Sequence, residues 1–189
     1  MSWHYQSWRH ALARRGIKTA KYNGNIVART RHGIPITVKE SAQQGKAYPL
    51  TPGQAKEALD KMPATAISGI KEVNFRDPGI PATKQDKAWA QYVRTKKRIN
   101  IFSQPYKNGK FHDTECGGSK SEVAEHMKDY VLPHEVGHHR AAKKDPNLPI
   151  IVEEAKADAF AAKQNPDDPL ITEMHINDRV SQFGSKGTI

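Results

Sequence analysis

The chain has 189 residues, a hydrophobic fraction of 37% and one cysteine, Cys116. This length fits one ordinary domain with a core of its own, and no apolar run approaches the roughly 20 residues that a membrane helix needs. A single cysteine excludes an internal disulfide framework, and the first residues do not resemble a signal peptide, so we expect a cytoplasmic protein without membrane association.

The net charge of +10 is concentrated in the N-terminal quarter of the chain. Residues 1–50 contain one acidic residue, Glu40, and nine basic ones: Arg9, Arg14, Arg15, Lys18, Lys21, Arg29, Arg31, Lys39 and Lys46. A basic segment attracts polyanions, and its tryptophans and tyrosines can stack on bases, so nucleic acid is a candidate partner. The alternative is a solvated extension that packs a few aromatic rings on the body.

The predicted elements alternate between strands and helices. Residues 22–39 read as a hairpin or two short strands, with Asn23-Gly24 and His32-Gly33 as turn signals. A helix follows over residues 51–61, where Thr51, Pro52 and Gln54 supply an N-cap, a favourable first residue and a capping box.

Three more strands and three helices are predicted after residue 65. The strands are predicted near residues 70–75 and 97–104, and the Asn108-Gly109 turn pairs the second strand with a short third one. Ser119 then caps a helix, with Glu122 as its capping-box partner. Further helices are predicted through "HEVGHH" and "VEEAKADAFAAK".

The sequence "HEVGH", residues 134–138, has the H-E-x-x-H pattern of a zinc site. On a helix, residues i and i+4 lie on one face, so His134 and His138 can bind one Zn²⁺. Glu135 lies where its carboxylate can reach a metal-bound water and take its proton. The neighbouring His139 points about 100° away from His138, which favours a surface or outer role over ligation.

A third ligand is expected from the next helix, which offers Glu153 and Glu154. Neighbours on a helix diverge by about 100°, so both cannot face the metal. Asp158 lies four residues after Glu154, where it can accept the free N–H of a metal-bound histidine. Glu154 is therefore the predicted ligand and Asp158 its outer-shell neighbour.

Two residues of the motif helix call for an explanation. Pro133 would remove a hydrogen bond and clash with the preceding turn, so the helix either kinks there or begins anew with Pro133 as its first residue. Gly137 costs about 1 kcal/mol relative to Ala in a helix interior. A close approach by another chain element or by substrate would rationalise it, although packing alone suffices.

"HEVGH" followed by "EAKAD" resembles the gluzincin metallopeptidases, and over roughly residues 51–163 the layout is similar to the archaeal minigluzincins. The resemblance implies an α+β, minimal zincin-like fold: a small mainly antiparallel sheet, a backing helix, an active-site helix and a glutamate helix. It also implies a domain at 49–165, flanked by a basic N-terminal extension at 1–48 and a C-terminal extension at 166–189.

The resemblance implies a zinc endopeptidase in which His134, His138 and Glu154 hold Zn²⁺ and Glu135 activates the water. A protein or peptide substrate would add as a strand to residues 98–104 or 109–113. Gluzincins usually add a His or Tyr that stabilises the oxyanion, for which His175 and Tyr130 are available.

Two further hypotheses concern regulation and an alternative function. Cys116 could occupy the open zinc position and keep the enzyme latent, or it could be an ordinary loop thiol. The alternative function is a nucleic-acid-binding protein whose zinc site is structural or vestigial; a closed site with four protein ligands would favour it.

Overall fold

The computed structural model describes residues 25–39, 42, 44–77, 88–112 and 118–166. They form a mixed α+β fold with two sheets. Its strands are β1 (Asn25–Arg29), β2 (Pro35–Val38), β3 (Lys46–Ala47), β4 (Glu72–Arg76), β5 (Ala90–Val93), β6 (Arg98–Phe102), β7 (Gln104–Lys107), β8 (Lys110–Phe111) and β9 (Gly118–Ser119).

The described residues also form five α-helices. They are α1 (Pro52–Lys61), α2 (Ala64–Ile67), α3 (Lys120–His126), α4 (Leu132–Lys144) and α5 (Ile150–Gln164), with a 3₁₀ turn at Arg94–Lys96 and a π-helical turn at Met127–Val131. The predicted capping boxes of α1 and α3 are both present, at Thr51 with Gln54 and at Ser119 with Glu122. In the ranges given above, no helix combines the length and the apolar character that spanning a membrane would require.

The larger sheet is mixed, with strand order β1-β2-β4-β6-β5. Its two outer pairs are antiparallel, but β2, β4 and β6 run parallel to one another. The expectation of a mainly antiparallel sheet was therefore wrong for the centre of this sheet. Parallel neighbours require a crossover, and α1 and α2 lie within the one between β2 and β4.

The predicted N-terminal hairpin is present and belongs to this sheet. Strands β1 and β2 pair with each other, and β2 pairs with β4. The sheet thus includes residues 25–38, which the sequence placed in the N-terminal extension, and a boundary at residue 48 would divide it. The hairpin lacks a strongly apolar run, so its sequence did not reveal that it is built into the body.

The two faces of the sheet differ in polarity because side chains alternate along each strand. One face carries fully buried Ile36, Val73, Phe75, Ile99 and Ile101, which share a core with Leu59 of α1 and Val136 of α4. The other face carries a row of Thr37, Asn74 and Asn100, aligned by strand register. The metal-motif helix therefore packs on the apolar face.

Pro133 lies in a helix that continues through it. The backbone stays helical at Val131 and Leu132, and the π-helical turn at Met127–Val131 joins α3 to α4. A π turn moves the hydrogen bonding to a wider spacing, so the carbonyl that would clash with the proline ring is displaced. The predicted break is thus a π bulge, and His134 lies one residue after Pro133 in regular α-helix.

Strand β5 lies at one edge of the larger sheet that the described residues form. The two segments expected to bind a substrate strand are elsewhere: β6 lies between β4 and β5, and β8 lies between β7 and β9. Sequence periodicity indicates which residues form strands, but strand order depends on tertiary packing. The predicted Asn108-Gly109 turn is present with positive φ at both residues, and it joins β7 to β8 in the smaller sheet.

Helices α4 and α5 touch at Gly137. A Cβ atom built on Gly137 would lie 2.5 Å from Cα and 2.8 Å from the carbonyl oxygen of Ala157. No side chain fits there, because both atoms belong to the backbone of α5. The glycine is therefore explained by a close helix crossing, and the Arg140 guanidinium 4.5 Å from the Phe160 ring centroid adds a second contact between the two helices.

We expect Gly137→Ala to destabilise the protein by about 1–3 kcal/mol, because overpacking against backbone outweighs the gain in helix propensity. Gly53 in α1 is the matched control: it is exposed, and a Cβ atom there would meet only Thr51 Oγ1 at 3.8 Å. Gly53→Ala should leave stability unchanged or raise it by up to about 1 kcal/mol. Chemical denaturation measures both, and equal stability of the two variants would contradict the close crossing.

Candidate metal centre

The predicted ligands converge from two helices. His134 and His138 lie on α4 and Glu154 on α5, and their donor atoms all lie within 4.8 Å of one another. The two Nε2 atoms are 3.0 Å apart. Glu154 places one carboxylate oxygen 3.4 Å from His134 Nε2 and the other 3.5 Å from His138 Nε2.

A buried carboxylate lies behind His134. Asp158 Oδ1 is 2.7 Å from His134 Nδ1 and also accepts a hydrogen bond of 2.7 Å from the Tyr130 hydroxyl. Asp158 is one turn beyond Glu154 on α5, and Tyr130 comes from the π-helical turn. The predicted outer-shell role of Asp158 thus has a matching contact, and the Tyr130 hydroxyl binds the same carboxylate oxygen.

A second carboxylate lies behind His138. Glu153, only 8% exposed, has Oε1 3.2 Å from His138 Nδ1. Its other oxygen accepts a hydrogen bond from the Arg94 guanidinium. Both neighbouring glutamates therefore contact the histidine pair, Glu154 from the Nε2 side and Glu153 from the Nδ1 side.

The contacts with carboxylates favour one tautomer for both histidines. Nδ1 lies closer to a carboxylate oxygen, at 2.7 Å in His134 and 3.2 Å in His138, than Nε2 does, at 3.4 and 3.5 Å, so a neutral ring places its proton on Nδ1. Both Nε2 atoms then present lone pairs to each other and to the Glu154 carboxylate. Three acceptors facing one point require a proton or a cation between them, and this donor set is one that metal ions bind.

The charges around His134 have a large effect on its protonation. Burial, the largest single influence, lowers the pKa of His134, but the contacts with Asp158 and Glu154 and the charge of Glu135 together raise that pKa to about 9. The surroundings therefore favour a positive charge at this point. A bound metal cation would supply that charge in place of the proton.

Comparison with known proteins gives no relative. No protein-family model, curated protein or solved structure matches the chain. What this group of residues can do therefore follows from its own geometry: it could hold a metal ion through two imidazoles and one carboxylate.

Glu135 links α4 to strand β5. Its side chain is buried, and Oε2 accepts a hydrogen bond from the Tyr92 backbone N–H. Burial raises the pKa of Glu135, while the nearby His134 and His138 and the Tyr92 N–H act in the opposite direction. The group is thus a carboxylate beside the candidate metal ligands whose environment favours taking up a proton.

His139 is buried, although the sequence left a surface position open. Its Nε2 lies 3.0 Å from the Ser68 carbonyl oxygen and its Nδ1 2.9 Å from the Tyr92 hydroxyl. Since a carbonyl can only accept, Nε2 carries the proton and Nδ1 accepts from Tyr92. Burial lowers the pKa of His139 and raises the pKa of Tyr92, so both side chains stay neutral. Their hydrogen bond connects α4 to β5.

The remaining expected site residues have different outcomes. The Tyr130 hydroxyl donates to Asp158, so its expected oxyanion role stays a prediction without a supporting contact. Cys116 and His175 lie outside the described residues, so the latency and second oxyanion hypotheses stay predictions as well.

Sequence reasoning missed the roles of Glu153, Arg94 and Tyr92. Glu153 is next to the predicted ligand, but the residue one turn after it is Ala157, which gave no sign of an outer-shell carboxylate. Its partner Arg94 is 59 residues earlier in the chain. Only the position of β5 in the sheet brings these residues together, and local spacing carries no signal for that.

We expect Asp158→Ala to weaken zinc binding about 10- to 100-fold, because removing the carboxylate behind a metal-bound histidine frees its ring and lowers its basicity. Asp158→Asn, which retains an acceptor without the charge, should have an intermediate effect. Glu57→Ala, at an exposed position of α1, is the control and should bind zinc like the wild type. Competition with a chelator gives the affinities; a wild-type affinity in Asp158→Ala would exclude this role.

Proposed function

We propose that the protein is a zinc-dependent endopeptidase of the gluzincin type, with a minimal zincin-like fold. The observation that carries the proposal is the convergence of His134, His138 and Glu154 beside the buried carboxylate of Glu135. It combines a three-ligand group with a general base, which hydrolytic zinc sites need.

The spacing of the donor atoms fits zinc. Bonds of about 2.0–2.1 Å in tetrahedral geometry place neighbouring ligand atoms about 3.3 Å apart. The three separations of 3.0, 3.4 and 3.5 Å lie around that value. Among the described residues three side chains are placed to bind the metal, which leaves a fourth position for water or substrate and supports a catalytic use over a structural one.

Zinc held there would supply a Lewis acid that polarises the peptide carbonyl and acidifies the attacking water. Glu135 then takes the proton of that water and passes it to the amine of the leaving peptide. The Tyr92 N–H holds one oxygen of Glu135, so the other oxygen remains to exchange the proton. Burial keeps bulk water from competing for it.

Strand β5 is the proposed binding site of the substrate backbone. Phe102 N–H donates to the Trp89 carbonyl, so by the antiparallel alternation the backbone groups of Ala90 and Tyr92 face away from β6. The Tyr92 N–H already donates to Glu135, so an extended peptide would pair by strand addition through the other backbone groups of this edge. Because Tyr92 also contacts Glu135, a peptide on β5 would lie beside the general base.

The alternative, a nucleic-acid-binding protein with a structural or vestigial zinc site, depends mainly on the basic residues before position 25. They lie outside the described residues, so this function stays a prediction.

We expect Glu135→Gln to retain one zinc per chain and to lose about 10²- to 10⁴-fold of its peptide cleavage, because glutamine can accept from the Tyr92 N–H but cannot take up a proton. Zinc content by elemental analysis and cleavage of a fluorogenic library of unstructured peptides measure the two effects. Glu57→Gln is the control and should cleave like the wild type. A wild type without zinc, or undiminished cleavage by Glu135→Gln, would refute the proposal.

A further inference from the structure

Glu153 is a buried carboxylate with two partners from different parts of the fold. It lies at 8% exposure beside the candidate ligand Glu154. One oxygen contacts His138 Nδ1 at 3.2 Å, and the other accepts from the Arg94 guanidinium. A carboxylate is costly to bury unless both oxygens are satisfied, so the position of Glu153 depends on Arg94.

Arg94 lies at the end of the edge strand. It follows β5 directly and begins the 3₁₀ turn at Arg94–Lys96. Besides Glu153, its guanidinium donates a hydrogen bond of 2.7 Å to the Pro146 carbonyl, in the connection between α4 and α5. A single planar group thus joins three parts of the fold: strand β5, the helix connection and the carboxylate behind His138.

The geometry of this contact distinguishes it from an ordinary surface ion pair. The Arg94 side chain is 41% exposed, and a pair of two solvated groups would contribute little. The Glu153 side chain, however, is 10% exposed and already engaged with His138. Losing the arginine would leave one buried oxygen without that partner, and the carboxylate could then turn away from the histidine.

The two histidines are held in different ways. His134 is backed by Asp158 and Tyr130, which come from α5 and from the helical segment that leads into α4. His138 is backed by Glu153 and, through it, by a residue of the strand edge. His138 is therefore connected, through Glu153, to the residue that directly follows β5.

We propose that Arg94 is a positioning residue that acts through Glu153 to fix the ring of His138, and that it thereby couples strand β5 to the metal centre. This inference rests on the proposed function, since β5 is the proposed substrate edge and His138 a proposed zinc ligand. Arg94 touches neither the metal position nor the substrate; its effect is on the orientation of a ligand.

The first test measures zinc affinity in the full chain without any substrate. We expect Arg94→Gln to weaken zinc binding about 10-fold or more, as for other outer-shell partners of metal-bound histidines. Arg94→Lys should recover part of the affinity, because an ammonium can pair with Glu153 but lacks the fork that also reaches the Pro146 carbonyl. Lys96→Gln removes an exposed charge from the same 3₁₀ turn and should bind zinc like the wild type.

A double-mutant cycle then tests whether Arg94 acts through Glu153. Glu153→Gln retains an oxygen for His138 Nδ1 and gives up the charge that holds the arginine. If the route is correct, the double variant should bind zinc no more weakly than the more affected single variant. If the losses of zinc affinity in the two single variants multiply in the double variant, the two residues act independently. That result would overturn the proposal, even if each variant binds zinc less well.

The visible absorption of the cobalt-loaded protein provides a readout that a merely structural role would not move. A change in the arrangement of the ligands alters this spectrum, so Arg94→Gln should shift it while Lys96→Gln should not. Thermal unfolding of the metal-free variants verifies that they fold.

The outcomes separate this inference from the proposed function. If the wild type binds no zinc, both fail. If the wild type binds zinc and Glu135→Gln abolishes cleavage, but Arg94→Gln has wild-type zinc affinity and an unchanged cobalt spectrum, only the coupling through Arg94 is refuted. If Arg94→Gln does not fold, Arg94→Lys and Glu153→Gln decide: wild-type affinity in both overturns the proposal.

Discussion

The close approach of α4 and α5 is the constraint on which the rest of the site depends. The imidazoles come from α4 and the carboxylates from α5, so the ligands can meet only where the two backbones nearly touch. Gly137 permits this, because no side chain would fit between it and Ala157. A glycine within a helix costs about 1 kcal/mol relative to alanine, and here that cost is offset by a close crossing that a residue with a Cβ atom would obstruct.

Four acidic residues lie close to this helix crossing. Glu135, Glu153, Glu154 and Asp158 surround two histidines, and the Arg94 guanidinium contacts Glu153 of this group. Buried carboxylates this close together repel one another unless a cation is present. A divalent ion between the Nε2 atoms and Glu154 would bring the cluster close to neutrality, so the electrostatics and the geometry favour the same occupant.

The part of the site that follows helical spacing could be predicted from the sequence. His134, Glu135 and His138 follow from one turn of helix, and Glu154 with Asp158 from one turn of the next. The parallel centre of the sheet and the edge position of β5 could not be predicted, because strand order depends on long-range packing. The roles of Arg94 and Tyr92 were missed for the same reason: their partners are 59 and 43 residues away in the chain.

The π-helical turn at Met127–Val131 determines the direction in which the side chains of the following helix point. The rings of His126, Tyr130, His134 and His138 follow one another at intervals of four residues, with neighbouring centroids 4.6–5.7 Å apart. In a regular α-helix each such step overshoots a full turn by about 40°, so four rings would wind away from one stripe. The wider π turn advances less per residue and reduces that drift. The π turn thus offsets part of the rotation that builds up over three steps of four residues. The number of residues in this turn, more than their identity, keeps Tyr130 on the helix face that bears the two histidines.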